Sequence, residues 1–218
     1  MSGARARAVF FDLDGTLLDT WPLVYRSFVH AARRFLPQIP DELRCLKIFG
    51  LPLRQQMQIL APGAPGQIIE AMVRAYREFN LANHPGWVHA FPGVAGTLRE
   101  LRRRGLLLGV VTSKNRATTQ LGLEVSGLQG LLDLVVAEED TERHKPWPDP
   151  ILAALRRAGV QASQALYVGD SPYDLQCARA AGVGAVACGW SLFGPQILRD
   201  ARPDGLLSCP QELLTWFP

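Results

Sequence analysis

Residues 9–20 run Val9-Phe10-Phe11-Asp12-Leu13-Asp14-Gly15-Thr16-Leu17-Leu18-Asp19-Thr20. The apolar run from Ala8 to Phe11 has the character of a buried parallel strand, which is apolar on both faces. It stops at two carboxylates, Asp12 and Asp14, and Gly15 then permits the backbone conformation of a tight turn. In open α/β sheets ligands bind just beyond the carboxyl ends of the strands. The two acids are therefore expected at a sheet rim, facing a crevice. Carboxylates two positions apart repel, so either one takes a raised pKa and serves as a general acid, or a cation such as Mg2+ holds both. A carboxylate can also act as a covalent nucleophile. A turn with two solvated acids would look the same in this stretch alone, and the rest of the chain has to separate these readings.

Downstream of this stretch the pattern changes twice. Positions 21–35 carry Val24, Phe28, Ala31, Ala32 and Phe35 near a 3.6-residue period, with polar residues between them, which predicts a helix ended by Pro37 and Pro40. Further helices are expected over 41–48, 53–60 and 67–81, with no strand among them. Beyond Pro92-Gly93, helices alternate with short apolar runs: helix 94–104, strand 106–111, helix 116–126, strand 134–137, helix 149–158, strand 165–168, helix 172–181 and strand 184–187. Such alternation argues for βαβ units around a parallel sheet. The expected fold class is α/β, a doubly wound, Rossmann-like parallel-sheet core made of residues 1–19 and 91–218. A small all-helical cap, residues 20–90, is inserted after the first acidic motif, with linkers near Thr20 and over 84–92.

Polar residues recur where such a core predicts them. The strand ending at Val111 is followed by Thr112-Ser113-Lys114, which suits either phosphate binding at a helix start or an ordinary N-cap. The strand ending at Val168 is followed by Gly169-Asp170-Ser171-Pro172-Tyr173-Asp174, a second pair of acids at a strand end, although Ser171 and Pro172 also suit a helix start. Lys145 lies in His144-Lys145-Pro146-Trp147-Pro148-Asp149-Pro150, where three prolines restrict the loop.

The whole chain narrows the function classes. Its 218 residues are 48% hydrophobic, enough for a substantial core and unlike a disordered chain. The formal net charge is only +3, and clusters such as Arg102-Arg103-Arg104 sit at a helix end, where cations favour the macrodipole, so nucleic-acid binding is not expected. No apolar run has the length of a membrane span, and residues 1–7 lack the apolar core of a signal peptide. Cys45, Cys177, Cys188 and Cys209 have no metal-type spacing. A cytoplasmic protein, monomer or homodimer, is the expectation.

Taken together, these segments make the chain resemble the haloacid dehalogenase-like superfamily in its phosphatase branch, over nearly its full length and with four motifs in family order. The resemblance implies roles residue by residue. Asp12 matches the nucleophile that forms an aspartyl-phosphate, and Asp14 the general acid and base. Thr112, with the Ser113 backbone N–H, matches the group that holds the phosphoryl moiety, and Lys145 the lysine that neutralises it. Asp12, the Asp14 carbonyl and Asp170 match the Mg2+ ligands, with Asp174 orienting or completing that shell. An acid at position 14 indicates phosphoryl transfer, because the dehalogenases lack one there. The helical insert resembles the cap subtype called C1, whose Gly50-Leu51-Pro52-Leu53 loop faces the site, with Arg54 beside it as a partner for a substrate carboxylate or second phosphate. The implied substrate is a small phosphorylated metabolite. Phosphoglycolate phosphatases are most similar, followed by pyrophosphatases and phosphomutases of the β-phosphoglucomutase type, with a non-catalytic regulator as the outside alternative. The Gly189-Trp190-Ser191-Leu192-Phe193-Gly194 loop departs from the family's glycine-aromatic-glycine pattern and is bulkier.

Overall fold

The computed structural model describes residues 6–217. Six parallel strands form one sheet in the order β5-β4-β1-β6-β7-β8, with β1 Ala8–Phe11, β4 Leu107–Val111, β5 Leu134–Val136, β6 Ala165–Gly169, β7 Gly184–Cys188 and β8 Gly205–Leu207. The chain starts at the centre of the sheet, builds β4 and β5 on one side of β1, and then crosses to build β6, β7 and β8 on the other. Such an order reversal opens a crevice at the carboxyl ends of the strands. The register aligns those ends: Phe11 pairs with Val110 on one side and Val168 on the other. Asp12, Thr112 and Asp170 therefore leave three adjacent strands at the same edge.

Burial on both faces explains why β1 has no polar alternation. Val9 and Phe11 join one apolar cluster with Leu98 and Leu101 of α5 (Val94–Arg103) and Leu123 of α6 (Arg116–Val125). Ala8 and Phe10 point the other way, into a cluster with Ile151 and Ala154 of α7 (Asp149–Ala158) and Leu175 of α8 (Pro172–Ala180). Each buried valine, leucine, isoleucine or phenylalanine among them contributes about 1.5–3 kcal/mol of transfer free energy.

The α/β class, the parallel sheet and the flanking helices are as the sequence implies. Residues between β1 and α5 build a separate helical layer: α1 Trp21–Phe35, α2 Glu42–Leu46, α3 Leu53–Leu60 and α4 Gly66–Trp87. Their apolar stripes converge on a third cluster, in which Phe28, Met57 and Met72 are fully buried. Phe28 and Tyr76 set their rings 5.2 Å apart across the α1–α4 seam. This layer meets the sheet edge where Tyr173 of α8 donates its hydroxyl to the Lys47 carbonyl at 2.9 Å.

Several boundaries differ from the sequence expectation. The segment expected as helix 41–48 is helical only over Glu42–Leu46. Asp41 caps it by accepting from the Arg44 N–H, and the chain then tightens into turns before Gly50. Conversely α4 continues to Trp87, through residues taken for a linker, and includes Pro85 in its last turn. Its end is anchored, because the Arg26 guanidinium lies 4.4 Å from the Trp87 ring centroid and Trp87 packs on the first cluster. Two-residue strands, β2 Leu18–Asp19 and β3 His89–Ala90, pair antiparallel where the chain enters and leaves the helical layer. Two residues carry no periodicity, so sequence could not disclose them. Helix α9 (Pro195–Asp200) and β8 were also unforeseen; β8 extends the sheet through Val186–Gly205 pairing.

Candidate active site

Asp12, Lys145, Asp170 and Asp174 come together beyond the ends of β1 and β6, none more than 5% exposed. Lys145 is the hub. Its Nζ donates to Asp12 Oδ1 and to Asp174 Oδ1, each at 2.6 Å. Asp174 is held by four donors: Lys145, the Tyr167 hydroxyl at 3.0 Å, and the N–H and hydroxyl of Ser171 at 3.0 and 2.6 Å. Ser171 in return accepts from the Asp174 N–H, so the acid that closes the first turn of α8 also fixes the lysine. A helix cap thereby becomes part of the polar site.

Asp170 is less well supplied. The Thr16 hydroxyl lies 3.4 Å from its Oδ1, and the Ser191 hydroxyl donates to its backbone carbonyl. Gly15, with φ +85°, is required here, since a Cβ at that position would collide with the Asp170 carboxylate. The bulky Gly189–Gly194 loop thus has a structural assignment. Ser191 braces Asp170, and the Trp190 indole donates to the Thr16 carbonyl at 3.2 Å.

The electrostatics follow from three buried acids around one buried cation. Burial, opposed by Lys145 and reinforced by Asp174, pushes the Asp12 carboxyl up to about 7. Burial and the charges of Asp174 and Asp12 push Asp170 well above the usual carboxylate range. Burial disfavours the Lys145 ammonium, but Asp12 and Asp174 outweigh it and hold its pKa above the ordinary lysine value. Oxygens of Asp12, Asp170 and Asp174 lie within 4.8 Å of one another. An all-oxygen donor set with excess negative charge suits a hard divalent cation. Because all four hydrogen-bond donors of Asp174 are already committed to its two oxygens, Asp12 and Asp170 have the freer oxygens.

A cavity of about 70 Å³ opens between this cluster and the helical layer. Its sheet-side wall includes Asp12, Asp14, Thr112, Ser113 and Lys114; Gly50, Leu51, Gln56, Tyr76, Arg77 and Asn80 face them. Lys114 Nζ pairs with Asp14 Oδ1 at 2.9 Å, and the Lys114 N–H donates to the Thr112 hydroxyl at 3.2 Å. The Ser113 hydroxyl is buried without a partner.

The structure therefore brings together Asp12, Asp14, Thr112, Ser113, Lys145, Asp170 and Asp174 from the sequence reading. It does not bring Arg54 to them. Arg54 Nε pairs with Glu70 at 2.7 Å, both side chains about half exposed, and it does not line the cavity. On the same helix Gln56 turns inward instead, with an unpartnered buried Oε1. Sequence reasoning gave no role to Tyr167, Thr16 and Ser191, which only the fold brings against the acids. Lys114 was within a motif but without a part, and Arg77 lay unmarked on a helix.

Comparison with known proteins finds relatives over nearly the whole chain. The sequence profile of the haloacid dehalogenase-like hydrolases matches residues 9–188. A pyrophosphatase of Bacillus velezensis is 34% identical over 214 residues, 98% of this chain and 97% of its own. Among solved structures, a haloacid dehalogenase-like family hydrolase from Streptococcus pneumoniae superposes with TM-score 0.85 at 26% identity, covering 98% of this chain and 99% of the other. A protein described as a predicted phosphoglycolate phosphatase from Haemophilus somnus superposes with TM-score 0.89 at 22% identity, covering 98% of both chains. No helix among the described residues is long and apolar enough to cross a membrane.

Proposed function

This chain belongs to the haloacid dehalogenase-like hydrolase family, and from that premise we propose that it hydrolyses a small phosphate compound through Asp12, with Mg2+ as cofactor. The observation that carries the reading is the Lys145 ammonium held 2.6 Å from both Asp12 and Asp174, beside Asp170, at the edge where three parallel strands end. A phosphoryl group spreads negative charge over its oxygens, and a site that transfers it needs preorganised positive charge around an in-line nucleophile.

The residues divide the work as follows. Asp12 attacks phosphorus, forming an acyl phosphate while the bond to the leaving oxygen breaks. Asp14 delivers the proton that this oxygen requires, then takes one from the water that attacks the acyl phosphate, so Asp12 is regenerated and inorganic phosphate leaves. Thr112 and Ser113 supply hydroxyl and N–H donors to the phosphoryl oxygens, and Lys145 neutralises charge at Asp12. Asp12 and Asp170, with the Asp14 carbonyl, would hold Mg2+, and Asp174 serves chiefly to position Lys145. Bound Mg2+ supplies additional positive charge beside the phosphoryl oxygens. The helices over residues 20–90 act as a cap that closes over the substrate, and residues 1–19 with 91–218 as the catalytic core.

Phosphoglycolate and pyrophosphate are the two compact substrates that the relatives' names and the motif resemblance favour. Phosphate release from a panel containing phosphoglycolate, pyrophosphate, hexose phosphates and nucleoside monophosphates, with and without Mg2+, tests the reading. One compact compound should stand well above the rest and depend on Mg2+. A flat profile would overturn it.

A further inference from the structure

Two cationic side chains line the cavity among the described residues, and they are not equally committed. Lys114 is close to Asp14, 2.9 Å away, with both side chains less than a fifth exposed. Arg77, on the α4 wall opposite the strand ends, reaches only Glu138, through one terminal nitrogen at 3.4 Å. Its Nε is buried without a hydrogen-bond partner. A guanidinium presents five donors in a planar fork suited to two oxygens of one anion. Only Nε is buried; the side chain is 41% exposed, so beyond the single long contact the terminal nitrogens are open to solvent or to a ligand entering the cavity. A buried donor left unpaired costs on the order of 1–3 kcal/mol, so a fold that keeps one has a use for it or tolerates the cost.

The surroundings identify the ligand chemistry. The phosphoryl end of the substrate is taken up at Asp12, Thr112 and Lys145, so whatever meets Arg77 is the remainder of the molecule. That remainder spans the cavity between the strand ends and the α4 wall, where Arg77 lies. The remainder must also be anionic to engage a guanidinium better than Glu138 does. Glu138 holds Arg77 loosely at the cavity wall, and burial pushes its carboxyl above the usual range despite that arginine. A weakly paired acid of this kind keeps the guanidinium in position without competing strongly for it.

Resting on the phosphatase reading above, we propose that Arg77 receives a second anionic group of the substrate, phosphate or carboxylate, and sets a preference for substrates that carry two anions. Arg77 is then a specificity residue contributed by the helical layer, and the strand-end residues are common to any phosphate ester. It also ties recognition to closure, since the fork meets the second anion only when α4 lies over the strand ends.

Binding of inert probes separates this proposal from the activity. Methylphosphonate carries one anionic group, methylenediphosphonate two phosphonates, and phosphonoacetate a phosphonate and a carboxylate. Their dissociation constants are measured by calorimetry for the wild-type chain and Arg77→Gln, with Mg2+ in constant excess. The proposal expects the wild type to bind one or both two-anion probes about ten-fold or more tighter than methylphosphonate, and Arg77→Gln to erase that preference while binding methylphosphonate unchanged. Which probe is preferred tells phosphate from carboxylate. Equal binding of all three by the wild type overturns the proposal, as does a preference that survives in Arg77→Gln or a variant that weakens all three alike. Because no turnover is read, a failure of Asp12 as nucleophile would leave this outcome intact.

Discussion

Lys145 and Asp12 lie 133 positions apart in sequence and 2.6 Å apart in space, in a buried ion pair that Asp174 shares. That pair welds a proline-rich loop to the end of the central strand. It also makes the charge state of the site a property of the fold, since three buried acids surround one buried cation.

Removing the cation should therefore be felt in stability. Lys145→Met in metal-free protein leaves Asp12, Asp170 and Asp174 buried without a countercharge, and breaking a buried pair in this way costs about 3 kcal/mol. Urea denaturation at neutral pH measures it. A loss below about 1 kcal/mol would mean that solvent or rearrangement already screens the acids.

A divalent cation should work in the opposite direction. Mg2+ binding only the folded chain contributes about 2.7 kcal/mol at one hundred times its dissociation constant, a rise in melting temperature of roughly 5 °C or more for a chain of this size. The rise should vanish in Asp170→Asn, whose carboxylate has Thr16 alone as a side-chain partner. An equal rise in that variant would place the cation elsewhere.

His84 carries the pH dependence away from the acids. It is fully buried, its Nδ1 lies 3.1 Å from Asn80 Oδ1, and its Nε2 has no partner. Burial, helped by the nearby Lys114 charge, lowers its pKa from 6.5 to about 4. Between those values the unfolded chain binds the proton and the folded chain does not. The resulting stability, at most about 3 kcal/mol, is present above pH 6.5 and lost as pH falls towards 4. Unfolding curves across that range should show His84→Gln less pH-dependent than the wild type, and parallel curves would refute the assignment.

Gly15 should tolerate no side chain. Gly15→Ala places a Cβ against the Asp170 carboxylate in a backbone conformation that L-residues avoid. Displacing that acid is expected to cut phosphate release about 100-fold, and near-normal turnover would show Asp170 to be dispensable.

Much of this arrangement was legible in the sequence, and the boundary of what was legible has physical causes. The acids at the ends of β1 and β6 were legible because an apolar run fixes where a strand stops, and paired acids past two such strand ends are harder to read as solvated turns than one pair alone. Lys145 was marked by its prolines. Tyr167 was hidden, since an aromatic residue in a buried strand looks like core, and only the fold brings its hydroxyl to Asp174. Arg54 and Arg77 show the complementary failure. Both are helix arginines, and which one faces the cavity depends on how α3 and α4 pack, which periodicity does not specify. Proximity of Arg54 to the Gly50–Leu53 loop in sequence did not become proximity to the site, because its side chain found Glu70 instead.

The measurement that bears most directly on the whole account is phosphate release by Asp12→Asn beside the wild type, on the best substrate of the panel, with both melting temperatures recorded. The account predicts a fall of several orders of magnitude in turnover with the fold intact, together with a hydroxylamine-labile phosphoryl adduct on the Asp12 peptide in acid-quenched wild type. Turnover by a folded Asp12→Asn protein at near the wild-type rate would contradict it.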